Sequence, residues 1–598
     1  MIIRCALLPI CLCFALWALA QPVAAPKYEF RGAWISTVIN LDWPTRGASP
    51  QQQQTELLRI FDDLKKAGVN AVFFQLRSES DAFYQSALEP WSYYLTGKQG
   101  QSPNPFWDPL QFAIQEAHKR GMELHAWFNP FRVIRSTNST YPKDSLHVSI
   151  RHPEWMMNIR NILLLDPGIP AARQYIIDVA TDIVKRYDVD GLHYDDYFYP
   201  YEGIGSQDTA SFAKYGNGLT LNAWREDNIN RFVQELGAAT YALKPLVKYG
   251  ISPFGIWRSG VPPGISGLSG ADVTYGNAVV WLEKQWIDYL APQLYWRFGG
   301  NQDFEKLANW WKTQMNGRHL YPGIAIYRAE PSTVGTAALY PPSEIPNQIY
   351  FTRQKEIPGV IMFRAANLSR LNSQGLADSL CNRIYSNPAL TPIMPWKPLE
   401  APGVAKNLYL VPTTNAINLS WSAPEANGRQ AKARMYAIYR VQADKEPFWL
   451  LASQEPKNLL AVTGNTQYQD RSIIDGQQYW YAVTAVSGNS IESLPSSFAP
   501  LSTKTRAVRT DFGIREVFPN PFTQQLHIRY SIGAPGTLSL RIYNTLGQEM
   551  VTLVDQERKT AGDYEAVWVP EASAKTGLYI CVLEVDRQKM VHKVVKAP

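Results

Sequence analysis

Residues 193–197, His193-Tyr194-Asp195-Asp196-Tyr197, set two carboxylic acids side by side among imidazole and phenol groups. Neighbouring acids resist ionising together, so one is held protonated closer to neutrality than a lone aspartate would be. A proton donor beside a carboxylate is what acid-assisted cleavage of a glycosidic bond requires. One group protonates the leaving oxygen, and the second acts as nucleophile or activates water. An Asp-Asp at a strand end is also a common helix N-cap or arginine partner, so the surrounding elements must decide between the two roles.

Those elements alternate. Short apolar runs at 30–36, 71–77, 123–129, 191–197, 248–254, 289–296, 319–328 and 359–368 read as strands, separated by helical segments at 52–67, 109–120, 171–187, 221–243, 303–315 and 343–355. Eight strands with crossover helices predict an α/β fold, a (β/α)8 TIM barrel over 27–390, with its chemistry at the C-terminal strand ends.

In a barrel strand every second side chain faces inward. The outward set Leu124, Ala126 and Phe128 leaves His125, Trp127 and Asn129 inside, and Leu192 and Tyr194 leave His193, Asp195 and Tyr197 inside. The same test turns Gln75 and Arg77 inward on one strand and Gln293 and Tyr295 on another, with Trp296 ending that run. Barrel interiors are normally filled by branched apolar side chains, so polar groups on four strands predict a lined pocket.

Asp195 and Asp196 are therefore the expected catalytic pair, Asp195 pointing inward and Asp196 beside it at the rim. Arg77, His125, Trp127, Asn129, His193, Tyr197, Gln293, Tyr295 and Trp296 are the expected substrate-binding groups. Glu79, Asp81, Glu202 and Glu226, all near strand ends, are further carboxylates to weigh. His125, His193 and Asp195 could converge on a metal, but the first strand carries no His-x-His pair, and no metal or other cofactor is expected. Asp288 precedes its strand and belongs at the N-terminal face, where barrel residues serve stability.

The chain has 598 residues, enough for three or four domains. A basic residue, an apolar stretch and Ala18-Leu19-Ala20 mark 1–20 as a signal peptide. Beyond it only Cys381 and Cys581 remain, which excludes a disulfide scaffold. A net charge of +6 with 18% charged residues is too dilute for a nucleic-acid stripe. Prolines make 391–401 read as a linker. Period-two patterns then predict two small all-β sandwich domains, at 402–505 and 512–598.

Longer runs carry a resemblance. Arg31-Gly32-Ala33-Trp34 with Asp42-Trp43-Pro44, His125 to Arg132, Asp190-Gly191-Leu192-His193-Tyr194-Asp195-Asp196-Tyr197, Ser252-Pro253-Phe254-Gly255 and Ala291-Pro292-Gln293-Leu294-Tyr295-Trp296 resemble the glycosyl hydrolase-like 10 family. The resemblance implies glycan hydrolysis, with cell-wall strands of N-acetylated amino sugars as the substrate class. The run 190–195 also looks like a remote echo of the family-18 chitinase strand. Tyr197 stands where that family has its glutamate acid, so that catalyst does not carry over.

Trp421 with Tyr479, Tyr481, Val483 and Ala485 resembles a fibronectin type III sandwich, implying a spacer or adhesive module. Phe518-Pro519-Asn520-Pro521-Phe522, Leu546-Gly547-Gln548-Glu549 and Gly577-Leu578-Tyr579 are similar to the C-terminal sorting domain of type IX secretion. That implies partnership with the secretion machinery and a secreted or surface-attached protein. Two other functions stand beside the glycosidase: a surface glycan-binding protein holding sugar on Trp34, Trp127 and Trp296, and a metal-dependent carbohydrate deacetylase.

Overall fold

A computed structural model describes residues 24–598 apart from 139–140, 335–337, 414, 426–429, 475–476, 497–498, 503–511, 561, 572 and 587. The signal-peptide segment 1–20 lies outside the described residues. One compact unit comprises the barrel and most of the first sandwich, and the other is chiefly Leu501–Pro598.

The barrel strands are β1 (Phe30–Ile35), β2 (Ala71–Arg77), β3 (Glu123–Phe128), β4 (Gly191–Tyr194), β5 (Lys248–Ile251), β6 (Tyr289–Leu290), β7 (His319–Leu320), β8 (Gly323–Ile324) and β9 (Gly359–Met362). They form one parallel sheet in the order β7-β6-β5-β4-β3-β2-β1-β9-β8. The seventh expected run is split, so nine segments fill eight strand positions. Pro322 has no N–H to continue the ladder, and pairing changes there: β7 pairs with β6, whereas β8 pairs with β9. The ring closes where Gly323 donates to the Pro292 carbonyl and accepts from the Leu294 N–H, both at 2.9 Å.

Helices follow in turn: α1 (Pro50–Lys66), α2 (Pro109–Lys119), α3 (Pro170–Arg186), α4 (Leu221–Leu243), α5 (Ala278–Glu283), α6 (Phe304–Gln314), α7 (Glu344–Gln354) and α8 (Leu376–Ser379). Ser49, Asp108, Thr220 and Asp303 cap four of them by accepting a backbone N–H from the first turn. Outward strand residues such as Val72, Phe74, Leu124, Ala126 and Leu192 join the inner faces of the helices in one large core.

The barrel interior is aromatic. Phe30, Trp34, Phe73, Trp127, Tyr289 and Tyr321 fill it with Ile361 and Met394. Rings of this size fit because facing strands carry glycine. A Cβ on Gly191 would sit 2.3 Å from His125 Nδ1, and one on Gly250 would sit 2.1 Å from Tyr289 Cζ.

Residues 391–401, expected as a linker, instead close the N-terminal face of the barrel. Met394 is buried in the interior cluster. Trp396 Nε1 donates to Asp288 at 2.7 Å, and Lys397 pairs with Asp288 at 2.8 Å and donates to the Pro245 and Val247 carbonyls. Proline content signalled an extended strap correctly, but the side chains between the prolines make it adhere.

The first sandwich packs Lys406–Pro412, Ile417–Ser422 and Gln467–Asp470 against Leu459–Thr463, Met435–Gln442 and Gln478–Val486. It sits directly on the barrel's N-terminal face. Arg434 pairs with Asp188 at 2.5 Å and Asp190 at 3.1 Å, and Lys27 pairs with Glu492 at 2.5 Å. Gly121 and Gly464 permit contact so close that a Cβ on either would fall within 2.4 Å of a carbonyl oxygen across the interface.

The C-terminal sandwich has a three-stranded sheet, Gly513–Phe518, Leu526–Ile532 and Gly562–Trp568, and a four-stranded one, Glu549–Lys559, Gly536–Asn544, Gly577–Val585 and Gln588–Lys596. Its core includes Phe522, Ile528, Leu540, Trp568 and Cys581. Cys381 and Cys581 are free thiols.

Gly250→Ala would overpack the interior against the Tyr289 ring, and an insertion of this kind costs about 1–3 kcal/mol. The expected outcome is a lower unfolding midpoint for the barrel in urea. An unchanged midpoint would show that Tyr289 has room to move.

Candidate active site

Strand β4 ends at Tyr194, but its line continues one step further, where the Asp195 N–H donates to the Phe128 carbonyl at 3.2 Å. That bond delivers Asp195 to the barrel mouth. Asp195 is 9% exposed and Asp196 7%, so the pair is equally enclosed. The expectation of an inward Asp195 and a rim Asp196 therefore needs correcting. The regular strand has ended, alternation no longer applies, and Asp196 turns toward Gln293 and Tyr295 from the strand after next.

Burial raises the pKa of both carboxyls. The charge of Asp195 raises that of Asp196 further, while Arg132 opposes the shift at both. Both carboxyls are thereby biased toward the protonated form.

Asp195 accepts from Asn129 Nδ2 at one oxygen and from the Tyr197 N–H, at 3.3 Å, at the other. The Trp127 indole N–H makes no well-formed hydrogen bond, yet it lies where it favours the charged form of Asp195. Asn129 is 1% exposed and serves as an orienting group. Tyr197 is half-buried, with its hydroxyl 3.4 Å from Glu202 and its ring 5.5 Å from the Arg132 guanidinium. Gln293 donates to the Ser252 carbonyl at 3.0 Å, and its amide also stabilises ionised Asp196. Tyr295 is half-buried and stacks on Phe363 at 5.8 Å, and burial together with the Asp196 charge raises its pKa. Trp296, also half-buried, packs edge-on against Phe254 at 5.7 Å.

Three expected substrate ligands lie elsewhere. Arg77 is fully buried because a bulge between Gln75 and Arg77 turns it out of the interior series. Its guanidinium pairs with Glu89 at 2.8 Å and donates to the Asn129 and Pro130 carbonyls and to Ser80 Oγ. With Nε also on Glu89, all five N–H groups are engaged and none remains for a ligand.

His125 and His193 are fully buried below the mouth in a polar spine. Trp34 Nε1 donates to His193 Nε2 at 3.1 Å, His193 Nδ1 meets the Tyr289 hydroxyl at 3.1 Å, and that hydroxyl meets His125 Nδ1 at 3.0 Å. His125 Nε2 meets Glu123 at 3.1 Å, and Lys248 donates to the same carboxylate at 2.5 Å. An indole N–H can only donate, so His193 Nε2 is an acceptor and His193 is the neutral tautomer with its hydrogen on Nδ1. Burial and the neighbouring His125 hold His193 well below the usual histidine range. Trp34, 2% exposed, is part of this filling and presents no face to a sugar.

Of the other carboxylates, Glu79 accepts from the Arg135 N–H at 2.6 Å and the Tyr141 hydroxyl at 3.1 Å. Asp81 is fully buried, its carboxyl pushed up to about 6 by burial and by Glu79. Glu226 accepts from Asn277 at 2.9 Å, and Glu202 reaches the mouth through Tyr197. Two groups at the mouth were missed. Arg132, whose Nη2 has no hydrogen-bond partner, lies beyond the end of β3, where alternation gives no guidance. Gln75 was read as inward but assigned no task.

Residues 29–338 match the family described as Glycosyl hydrolase-like 10. Glycosyl hydrolase YngK of Bacillus subtilis is 38% identical over 475 residues, covering 76% of this chain and 90% of its own. The chain belongs to the glycosyl hydrolase-like 10 family. Glycosyl hydrolase DigH of Escherichia coli is 36% identical over 390 residues, 59% of this chain and 87% of its own. Among solved structures, chitinase ChiA74 from Bacillus thuringiensis is 8% identical, covering 94% of this chain and 100% of its own, with a TM-score of 0.36. Residues 516–597 match a secretion system C-terminal sorting domain, which implies export to the medium or the cell surface.

The pair's burial gives a stability prediction. A carboxyl whose folded pKa is raised costs nothing below its unfolded value near 3.9 and destabilises increasingly as pH climbs through the folded value. Asp196→Asn should therefore melt above the wild type at pH 8, with the difference closing toward pH 4. A difference independent of pH would contradict the raised pKa.

Proposed function

We propose that the barrel is a glycoside hydrolase acting on a bacterial polysaccharide, with the N-acetylated amino-sugar strands of peptidoglycan as its substrate class. The observation that carries this reading is the enclosed Asp195–Asp196 pair at the C-terminal end of β4, where burial raises the pKa of both carboxyls and favours keeping a proton at the site. The protonated member donates to the leaving oxygen as the glycosidic bond breaks, the ionised member stabilises the positive charge developing on the sugar, and water then bonds to the anomeric carbon and returns a proton to the pair. Tyr295, whose phenol feels the charge of both acids, would orient an N-acetyl group together with Asp195. Residues 1–20 would act as the leader for export and 512–598 as the address read by the type IX machinery.

Two observations favour this over the alternatives. Of the aromatic faces a non-enzymatic glycan binder would use, Trp34 and Trp127 are 2% and 6% exposed and Trp296 is half-buried. In the deacetylase reading His125 and His193 would hold a metal, yet both ring nitrogens of each are committed to the polar spine.

Asp195→Asn and Asp196→Asn are each expected to lower the release of reducing ends from peptide-free peptidoglycan strands by about 100-fold or more. Activity within a few-fold of wild type in either variant would remove that residue from the chemistry. Acetate release that disappears with a chelator would favour the deacetylase instead.

A further inference from the structure

The acids at the mouth are fed by a second hydrogen-bonded line, and its polarity can be read from one end. Gln75 Oε1 receives the Thr37 and Val38 backbone N–H groups, each at 2.9 Å, and the Ser36 hydroxyl at 3.1 Å. Backbone N–H groups only donate, so this end of the amide must be its oxygen and the opposite end its NH2. Gln75 Nε2 then donates to Asn129 Oδ1 at 2.6 Å. The free end of Asn129 is therefore also an NH2, and it meets Asp195 Oδ2. With the Tyr197 N–H at Oδ1, both Asp195 oxygens face donors. Each donor favours the ionised form of Asp195 over the protonated one. At Asp196 burial and the Asp195 charge outweigh the donors that favour ionisation, its own backbone N–H and the Gln293 amide, and the nearby Tyr295 phenol can accept as well as donate.

We propose that Gln75, acting through Asn129, holds Asp195 as the accepting carboxylate and so assigns the pair's shared proton to Asp196. Gln75 is 1% exposed and touches no substrate, so it is a positioning residue. The inference rests on the hydrolase reading only in naming Asp196 as the acid. The titratable and charged groups acting on the two carboxyls are Arg132, Tyr197 and Tyr295, together with the carboxyls themselves. Arg132 favours ionisation of both acids, so it does not choose between them.

The test is infrared spectroscopy of the full chain at neutral pH, reading the C=O stretch of a protonated carboxyl. The band should vanish in Asp196→Asn and persist in Asp195→Asn. Gln75→Glu keeps the acceptor for Thr37 and Val38 but offers Asn129 no donor. Asn129 should then turn over and present its oxygen to Asp195, moving the proton there. In that background the band should vanish with Asp195→Asn, kcat on glycan strands should fall roughly tenfold or more with little change in KM, and the pH profile should move.

Gln75→Met, which removes the donor without adding a buried charge, covers the case in which the glutamate variant does not fold. There each Asn substitution should remove part of the band. A wild-type band lost in Asp195→Asn, or a band that stays on Asp196 in both Gln75 variants, overturns the proposal while leaving the hydrolase reading intact. The expected band pattern in a protein that releases no reducing ends keeps the proposal and sinks the hydrolase reading.

Discussion

Hydrogen-bond direction in a dry interior is the constraint on which this barrel depends. A buried polar atom left without a partner costs about 1–3 kcal/mol, so a polar barrel core is tenable only when its groups are joined in continuous lines. The spine from Trp34 to Glu123 and the relay from Thr37 to Asp195 are such lines. Each contains a group that can act in one sense only, an indole or backbone N–H or a carboxylate. The tautomer of His193 and the orientation of two amides follow from those ends.

The same constraint shapes the packing. Rings as large as Tyr289 and His125 reach the barrel axis because Gly250 and Gly191 stand opposite them, and Tyr289 supplies the hydroxyl that joins the two histidines. At the N-terminal face the charges that begin the strands, Glu123, Lys248 and Asp288, find partners in one another and in residues 391–397. Each end of the barrel thus has its own polar solution, and aromatic side chains occupy the space between.

Much of the fold was legible because periodicity reports burial. The runs at 71–77 and 221–243 coincide with β2 and α4, and the remaining strands begin where expected but stop sooner. They stop sooner because the site is built from strand extensions, where a turn replaces the pleat and every-second-residue logic lapses. That lapse hid Arg132 and misjudged Asp196, and the bulge before Arg77 misdirected a third residue. His125 and His193 were rightly placed inside but were given to the substrate, since sequence distinguishes inward from outward and carries no measure of depth. The strap at 391–397 was misread because composition reports backbone stiffness and is silent on what the intervening side chains touch.

Strand β4 has the Asp195–Asp196 pair at one end and, at the other, Asp190, held by His118 at 2.8 Å and by Arg434 of the first sandwich. Five residue steps separate the two ends, about 17 Å of extended chain. The sandwich is therefore part of the enzyme's chassis and no trailing attachment. The family match ends at residue 338, before β9, which pairs with β1, and before the strap and Arg434. A fragment cut to the borders of that match would leave the ring open and its base unbraced.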